Sequence, residues 1–445
     1  MINSIELKNF KAFRKSGSVS LKKINLFVGP NSSGKSSFIE SLVLLKRCIE
    51  CLDSKAVIGA SSGNDSYKNI IYDNDTRNKL AYRLTFNKLK DDRDFLKDEE
   101  LSSLNEIYFS SEEEKGDFTV DEIEFSIVLS GDRPVVDDFF IEYGDKKSCH
   151  IYLEEGRYCV KLENVVLDCG KYITPHKFYF KLEESVFKEL SGDSLRAAII
   201  VKLLFTDLEE KVDEFSRRLI YIESLRTKIE RAQSISDIDL ESSVGSRGEN
   251  IVKALLGIDR LGDKEIQKSI KRKINHWLEE FDLGDKLDLE KVNGETYSVF
   301  IRNKNLGIYS NLLEVGFGTR QLLPIIIESI NSPKHSTIIV EEPETHIHPK
   351  AQSKLADLFV ESAIEGERNF IIETHSIFLV TEIQILVAEG KISADDVGVY
   401  YFTQDSEGSR AINMKLRDNG QFEEEWPSGF FDVHYLLGKK LFDLL

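Results

Sequence analysis

The spacing of apolar positions changes along the chain, and each change predicts a different kind of element. Ser4–Leu7 and Ile24–Val28 are short runs of strand length, the second closed by the turn pair Gly29-Pro30. Past Gly34, apolar residues at 38, 39, 42, 45 and 49 fall on one side of a helix, which predicts a helix buried along that face. From about 67 to 170 the period shortens. Leu80–Phe86, Ile123–Leu129 and His150–Leu153 alternate or run apolar between Gly, Asp and Lys turns, the pattern of an antiparallel β lobe. Within it, residues 88–117 carry Glu112-Glu113-Glu114 and read as a solvated loop or short helix. From about 183 to 285 helical spacing returns in Leu195–Phe205, Leu208–Arg218 and Glu265–Phe281, without the sustained heptads of a long coiled coil. Beyond about 297, Thr337–Val340 and Asn369–Ile372 read as buried strands flanking a helix near 349–363, and Val397–Phe402 follows as another strand. Strand, helix, strand at this spacing is a parallel crossover.

Composition narrows the picture. A chain of 445 residues with 41% apolar content supports two or three domains, or one large domain with an insertion, and excludes global disorder. Its 59 Lys and Arg against 77 Asp and Glu leave a net charge of −18, so the body as a whole repels nucleic-acid phosphates. Contact with DNA then needs a local basic face, and two clusters are candidates: Lys268, Lys271, Arg272 and Lys273, and Arg217, Arg218, Arg226, Lys228 and Arg231. In an acidic protein either cluster is also an ordinary solvated face. No apolar run has membrane-spanning length, and the first residues lack a secretory pattern. Five cysteines without an export signal fit reduced thiols in a cytoplasm. Cys48 and Cys51 have the C-x-x-C spacing but sit on a helical stretch with no second Cys or His pair at finger spacing, so no metal or redox role is expected.

The chemistry concentrates in four stretches. Gly29-Pro30-Asn31-Ser32-Ser33-Gly34-Lys35-Ser36 matches the phosphate-binding loop in full, between a buried strand and an amphipathic helix. Its glycines let successive N–H groups of Asn31, Ser32, Ser33, Gly34 and Ser37 turn toward one anion, Lys35 adds charge near the β and γ phosphates, and the Ser36 hydroxyl suits Mg²⁺. Glu341 and Glu342 follow a buried strand and precede Pro343. There one carboxylate serves Mg²⁺ and the other orients and deprotonates an attacking water. Read alone, the same pair is a surface turn. His375, at the end of the next strand, faces the same crevice and reaches a γ-phosphate or water, or else helps cap the following helix with Thr374 or Ser376. Gly316-Phe317-Gly318-Thr319-Arg320-Gln321 is a glycine turn entering an apolar helix, a second anion site or a plain cap.

In this order the four stretches resemble ATP-binding-cassette ATPases of the structural-maintenance-of-chromosomes branch. More narrowly, Ile5–Phe13, Gly29–Ser36, Glu341–Pro349, Ser243–Asn250 and Trp426–Asp432 look like the OLD (overcoming lysogenization defect) group. The resemblance implies an α/β head with a parallel P-loop core sheet, an antiparallel β lobe and an inserted helical lobe. It divides the chain into 1–66, the P-loop half of the core; 67–180, the β lobe; 181–296, the helical lobe; 297–390, the signature and Walker B half; and 391–445, a C-terminal α/β extension. It implies ATP and Mg²⁺ as ligands. Lys35 and Ser36 hold phosphate and metal, Glu341 is the metal-associated acid, Glu342 the catalytic base and His375 the switch histidine. Gly316, Gly318 and Gln321 belong to a signature motif that meets the ATP of a second copy, and His346–Pro349 to the loop at that interface. Two departures stand out: Glu341 replaces the usual Asp, and Gly316 the usual Ser. The implied protein is a cytoplasmic Mg²⁺-dependent ATPase, joined as a homodimer or larger homo-oligomer through sandwiched ATP, that senses or handles DNA. It would serve bacterial anti-phage defence beside a separate nuclease or toxin; no built-in nuclease is expected in the residues after Gly390. The other reading is a slow-turnover scaffold that sequesters and releases a partner protein.

Overall fold

The computed structural model describes residues 2–51, 53, 58, 66–87, 117–167, 170–226, 229–234, 243–427, 437 and 439–443. The expected loop at 88–117 lies outside them except for Asp117. The chain forms two units: Met1–Leu21, Ser32–Arg217 and Thr403–Ala411 make the first, and Lys22–Asn31, Arg218–Phe402 and Ile412–Leu445 the second.

The first unit is built on a nine-stranded antiparallel sheet. Its strands are β1 (Ile2–Phe10), β2 (Phe13–Lys15), β3 (Val19–Ser20), β5 (Leu80–Phe86), β6 (Val120–Ser130), β7 (Arg133–Tyr143), β8 (Lys147–Glu154), β9 (Arg157–Leu162) and β10 (Val165–Leu167). The order is β10-β9-β8-β7-β6-β5-β1-β2, with β3 also on β1. Alternation produces it: in β6, Ile123, Phe125 and Ile127 are buried while Glu122, Glu124 and Ser126 between them are not. The buried face is joined by aromatic pairs, Phe10–Tyr82 at 6.2 Å, Tyr82–Phe125 at 5.3 Å and Phe125–Phe178 at 4.9 Å between ring centroids. The hairpin β11 (Ile173–His176) and β12 (Tyr179–Leu182) follows. Helix α1 (Lys35–Glu50) buries Phe38, Ile39, Leu42, Leu45 and Ile49, the face the apolar spacing indicates. A short α2 (Tyr67–Ile70) follows. Both Leu195–Phe205 and Leu208–Arg218 lie in one helix, α3 (Gly192–Arg218), because neither Gly nor Pro interrupts the stretch between them. On its buried side Lys211 donates to Asp207 at 2.7 Å, and the pair holds both main-chain groups of Val120, so neither charge is left uncompensated.

A six-stranded sheet runs in the order β13-β18-β19-β4-β20-β21, and all of it except residues 403–411 of β20 and β21 is assigned to the second unit. Its strands are β4 (Ile24–Val28), β13 (Leu219–Ile222), β18 (Thr337–Glu341), β19 (Asn369–Glu373), β20 (Val397–Asp405) and β21 (Gly408–Asn413). From β13 to β20 every pairing is parallel. The inner strands are mainly apolar, with β4 buried at all positions, as a sheet covered on both faces requires. Helices α4 (Ile251–Asp259), α5 (Lys264–Glu280), α6 (Phe317–Asn331), α7 (Pro349–Glu365) and α8 (Ile377–Ala388) pack with it in one apolar core that includes Leu26, Ile326, Phe359 and Val380. A smaller antiparallel sheet joins β14 (Gln233–Ser234), β15 (Lys286–Asn293), β16 (Thr296–Arg302) and β17 (Tyr309–Asn311). Within 181–296, then, the mainly helical stretch also gives β13 to the parallel sheet. Only four residues long, β13 is too short to stand out between helical patterns. No helix among the described residues is long and apolar enough to cross a membrane.

Candidate active site

The phosphate-loop sequence leaves the C-terminal end of β4 as expected. Gly29 has φ +142°, and a Cβ there would lie 2.3 Å from the Phe402 carbonyl oxygen on neighbouring β20. No side chain fits, so the main chain itself runs against the next strand. Ser32 and Gly34 also adopt left-handed backbone, φ 61° and 107°, which turns the loop before α1 begins at Lys35. At Gly34 an added Cβ would meet the Phe13 ring at 2.8 Å. The Ser33 hydroxyl is buried with no hydrogen-bond partner among the described residues. A buried orphan hydroxyl in a glycine-bent loop of this sequence fits a bound phosphate oxygen, which would satisfy it. Lys35 is buried.

The paired glutamates sit at the same edge of the sheet. Glu341 is the last residue of β18, in register with Glu373 on β19, and β19 lies between β18 and β4. Glu342 N–H donates to the Glu373 carbonyl at 2.8 Å, one step beyond the ladder, and then φ turns to +41°. The strand therefore ends between the two acids, and they point differently. Glu341 accepts a hydrogen bond from the Tyr221 hydroxyl at 3.0 Å. Burial, with the Glu373 charge adding to it, pushes its carboxyl up to about 7 against the pull of the Tyr221 bond. Glu342 instead converges with Glu373 and His375: a carboxylate oxygen of each acid and an imidazole nitrogen all lie within 4.8 Å of one another. That trio is spaced to hold a cation or a water between its members.

A third acid organises the turn. Glu344 accepts from the Thr374 hydroxyl at 2.9 Å and from the His375 N–H at 2.5 Å, which clamps the end of β19 to the loop after β18. Burial raises its carboxyl above the ordinary value. His375 is exposed, and Ser376 rather than His375 caps α8 by accepting from the Leu379 N–H at 3.2 Å. The imidazole is therefore not used as the cap.

The glycine turn enters α6, capped by the backbone of Gly316 without a side-chain bond. Space around Gly316 is open, whereas a Cβ on Gly318 would come within 3.1 Å of the His346 carbonyl oxygen. Phe317 meets His346 edge-to-face at 4.8 Å. The turn and the 344–348 loop thus form one surface. Gln321 is placed otherwise than a nucleotide contact requires: it has no exposure, and its Oε1 accepts from the Arg226 guanidinium at 3.0 Å.

Oxygen donors dominate the strand ends, with Ser36 opening α1, and hard oxygen ligands are what Mg²⁺ takes. The motif resemblance assigns the ion to Ser36, in the first unit, and Glu341, in the second. Glu373, Glu344, Tyr221 and Arg226 carried no motif of their own. Glu373 lies two residues before His375 at a strand end, Glu344 within the stretch Glu341–Pro349 and Arg226 within a basic cluster, and none of these settings indicates its contacts. Of the basic clusters, Lys228 lies outside the described residues, and several of the other members are paired. Lys268 meets Glu265 at 2.9 Å, Lys273 meets Glu365 at 2.8 Å, Lys271 pairs with Asp259, Arg231 with Glu314, and Arg226 is interior.

The model of the AAA ATPase domain family matches residues 1–380, and the chain belongs to that family. A second model, described as a protein of unknown function (DUF3696), matches residues 392–433. No curated protein matches. Among solved structures, the chain is similar to an Smc head bound to the C-winged helix domain of ScpA, at 13% identity and TM-score 0.44 over 94% of this chain and 98% of that one. It is also similar to the SMC head domain from Thermotoga maritima, at 11% identity and TM-score 0.38 over 93% and 99%. An Smc head with an extended coiled coil bound to the C-terminal domain of ScpA, from Pyrococcus furiosus, gives 12% identity and TM-score 0.42 over 93% and 96%.

Proposed function

We propose that this member of the AAA ATPase domain family binds ATP on Gly29–Ser36 and hydrolyses it with Glu342 as general base. The observation that carries the reading is the meeting of Glu342, Glu373 and His375 at the end of β19, the strand directly beside β4 and its phosphate loop. The loop N–H groups and Lys35 bind and orient the phosphates. Glu342 takes a proton from water placed among the trio, and His375 orients that water or the terminal phosphate. Tyr221 holds Glu341 apart from this work, at the metal position.

The reading extends to two copies joined over ATP. The Gly316–Gly318 turn, open at Gly316 and backed by the 344–348 loop, would receive the terminal phosphate of the partner's nucleotide. Membership of the OLD-like group, a DNA ligand and work beside a separate nuclease or toxin rest on the motif resemblance. The test is steady-state phosphate release and sedimentation of wild type and Glu342→Gln with Mg²⁺-ATP. We expect hydrolysis to fall by about 10²-fold or more in the variant, the scale for a lost general base, while ATP binding survives and a larger ATP-bound species accumulates. A variant that turns over at the wild-type rate removes Glu342 from catalysis.

A further inference from the structure

Arg226 is the largest fully buried side chain among the described residues, and its charge is spent between two parts of the site. One amino group donates to Gln321 Oε1 on α6 at 3.0 Å. The other donates to the carbonyl oxygen of Glu341 at 2.6 Å and reaches that of Glu342 at 3.5 Å. The Gln321 amide closes the link, with Nε2 near the Arg226 carbonyl and Oε1 near its N–H, both at 3.4 Å. Placing a guanidinium in the interior is costly, and an apolar side chain of similar size would serve packing better. What the arginine supplies is a rigid planar fork, with one prong on the helix behind the glycine turn and the other on the main chain where the paired glutamates leave β18.

We infer that Arg226 is a positioning residue that couples the Gly316–Gly318 turn to the carboxylate of Glu342. Gln321 lies one helical turn beyond Gly318, so a ligand seated on the turn displaces α6 and Gln321 together. Arg226 carries that displacement to the Glu341 and Glu342 carbonyls. Glu342 is held in left-handed backbone, so a small shift of its carbonyl redirects its side chain. Gln321 thereby acts through Arg226 and not on nucleotide. The inference rests on the proposed role of Glu342.

Gln321→Met is the decisive variant, since it cuts the link on the α6 side and leaves Arg226 its carbonyl partners. Arg226→Gln and Arg226→Lys complete the set. Each is compared with wild type for thermal midpoint, affinity for a fluorescent ATP analogue, kcat and KM, and hydrogen exchange of the segment 337–347. For Gln321→Met we expect kcat to fall about tenfold, with affinity and KM within twofold, the signature of a lost transition-state contribution. Nucleotide-induced protection of 337–347, present in wild type, is lost in the variant. Arg226→Gln behaves alike, and the double variant is no worse than either single one. Arg226→Lys recovers little, because an ammonium cannot span both partners. A rise in KM with unchanged kcat would place Gln321 on the nucleotide and overturn the coupling. So would unaltered kcat and protection in folded Gln321→Met, whether or not the Arg226 variants fold. A wild-type protein that neither binds nor hydrolyses ATP would instead remove the proposed function, a distinguishable failure.

Discussion

At Gly29 one missing carbon atom decides whether the phosphate loop can leave the end of β4 close against β20. The Phe402 carbonyl occupies the space a Cβ would take. Gly29→Ala should lower stability by about 2 kcal/mol or more, combining a forced clash with a disfavoured dihedral, and should abolish binding of a fluorescent ATP analogue. Gly131 is the control. It has φ +62° and nothing within 4 Å of an added Cβ, so Gly131→Ala should cost only about 1 kcal/mol, with nucleotide binding intact. Urea denaturation of both variants checks the difference; equal costs would mean that the approach of Phe402 does not constrain the loop.

Elements that join the site to its supports place a second, independent demand on charge. Glu328 on α6 is buried; one oxygen accepts the Val244 N–H at 2.6 Å and the other has no hydrogen-bond partner among the described residues. Burial raises its carboxyl above the ordinary 4.5. The folded state therefore holds a proton that the unfolded chain releases. Its contribution is most favourable below pH 4.5 and declines as pH rises toward the elevated folded value. Glu328→Gln keeps the acceptor and removes the titration. The variant should gain stability over wild type at pH 8 and show a smaller gain at pH 5, measured as urea midpoints. An equal gain at both pH values would contradict the burial argument.

The same helix shows what was legible beforehand. Gly29–Ser36 and Glu341-Glu342-Pro343 are contiguous motifs on strongly apolar strands, and β4, β18, β19 and β20 stand within a few residues of the spans their patterns indicate. Arg226 was visible only as one member of a basic cluster. Its partners lie 95 and 115 residues away in the chain, a separation that local spacing cannot bridge. Glu344 stood inside the family-like stretch Glu341–Pro349 without a role of its own, and its clamp on Thr374 and His375 again depends on a neighbour brought in by the sheet. Thr403–Ala411 takes in the end of β20 and most of β21 and yet belongs to the first unit, which no change in composition announces.

For the molecule as a whole, the −18 charge opposes both partners proposed for it, in opposite salt regimes. Two like-charged copies repel, and added salt screens that repulsion over about 10 Å at 0.1 M. Association of Glu342→Gln in ATP should therefore strengthen between 50 and 300 mM NaCl, as about a severalfold change in the sedimentation midpoint. DNA retention should weaken over the same range, since it depends on phosphate contacts. Pairing that weakens steeply with salt would point to an interface made by opposite charges.

The strand order of the parallel sheet also bears on how the protein comes into being at the ribosome. The strand that carries the phosphate loop, at 24–28, is made more than 340 residues before either of its neighbours, at 369–373 and 397–405. Until they arrive, a fully apolar segment waits unpartnered, and chaperones are its natural company. A growing chain cannot complete the sheet beneath its phosphate loop before residues 369–405 have left the ribosome, so the proposed ATP-mediated pairing has to wait for them.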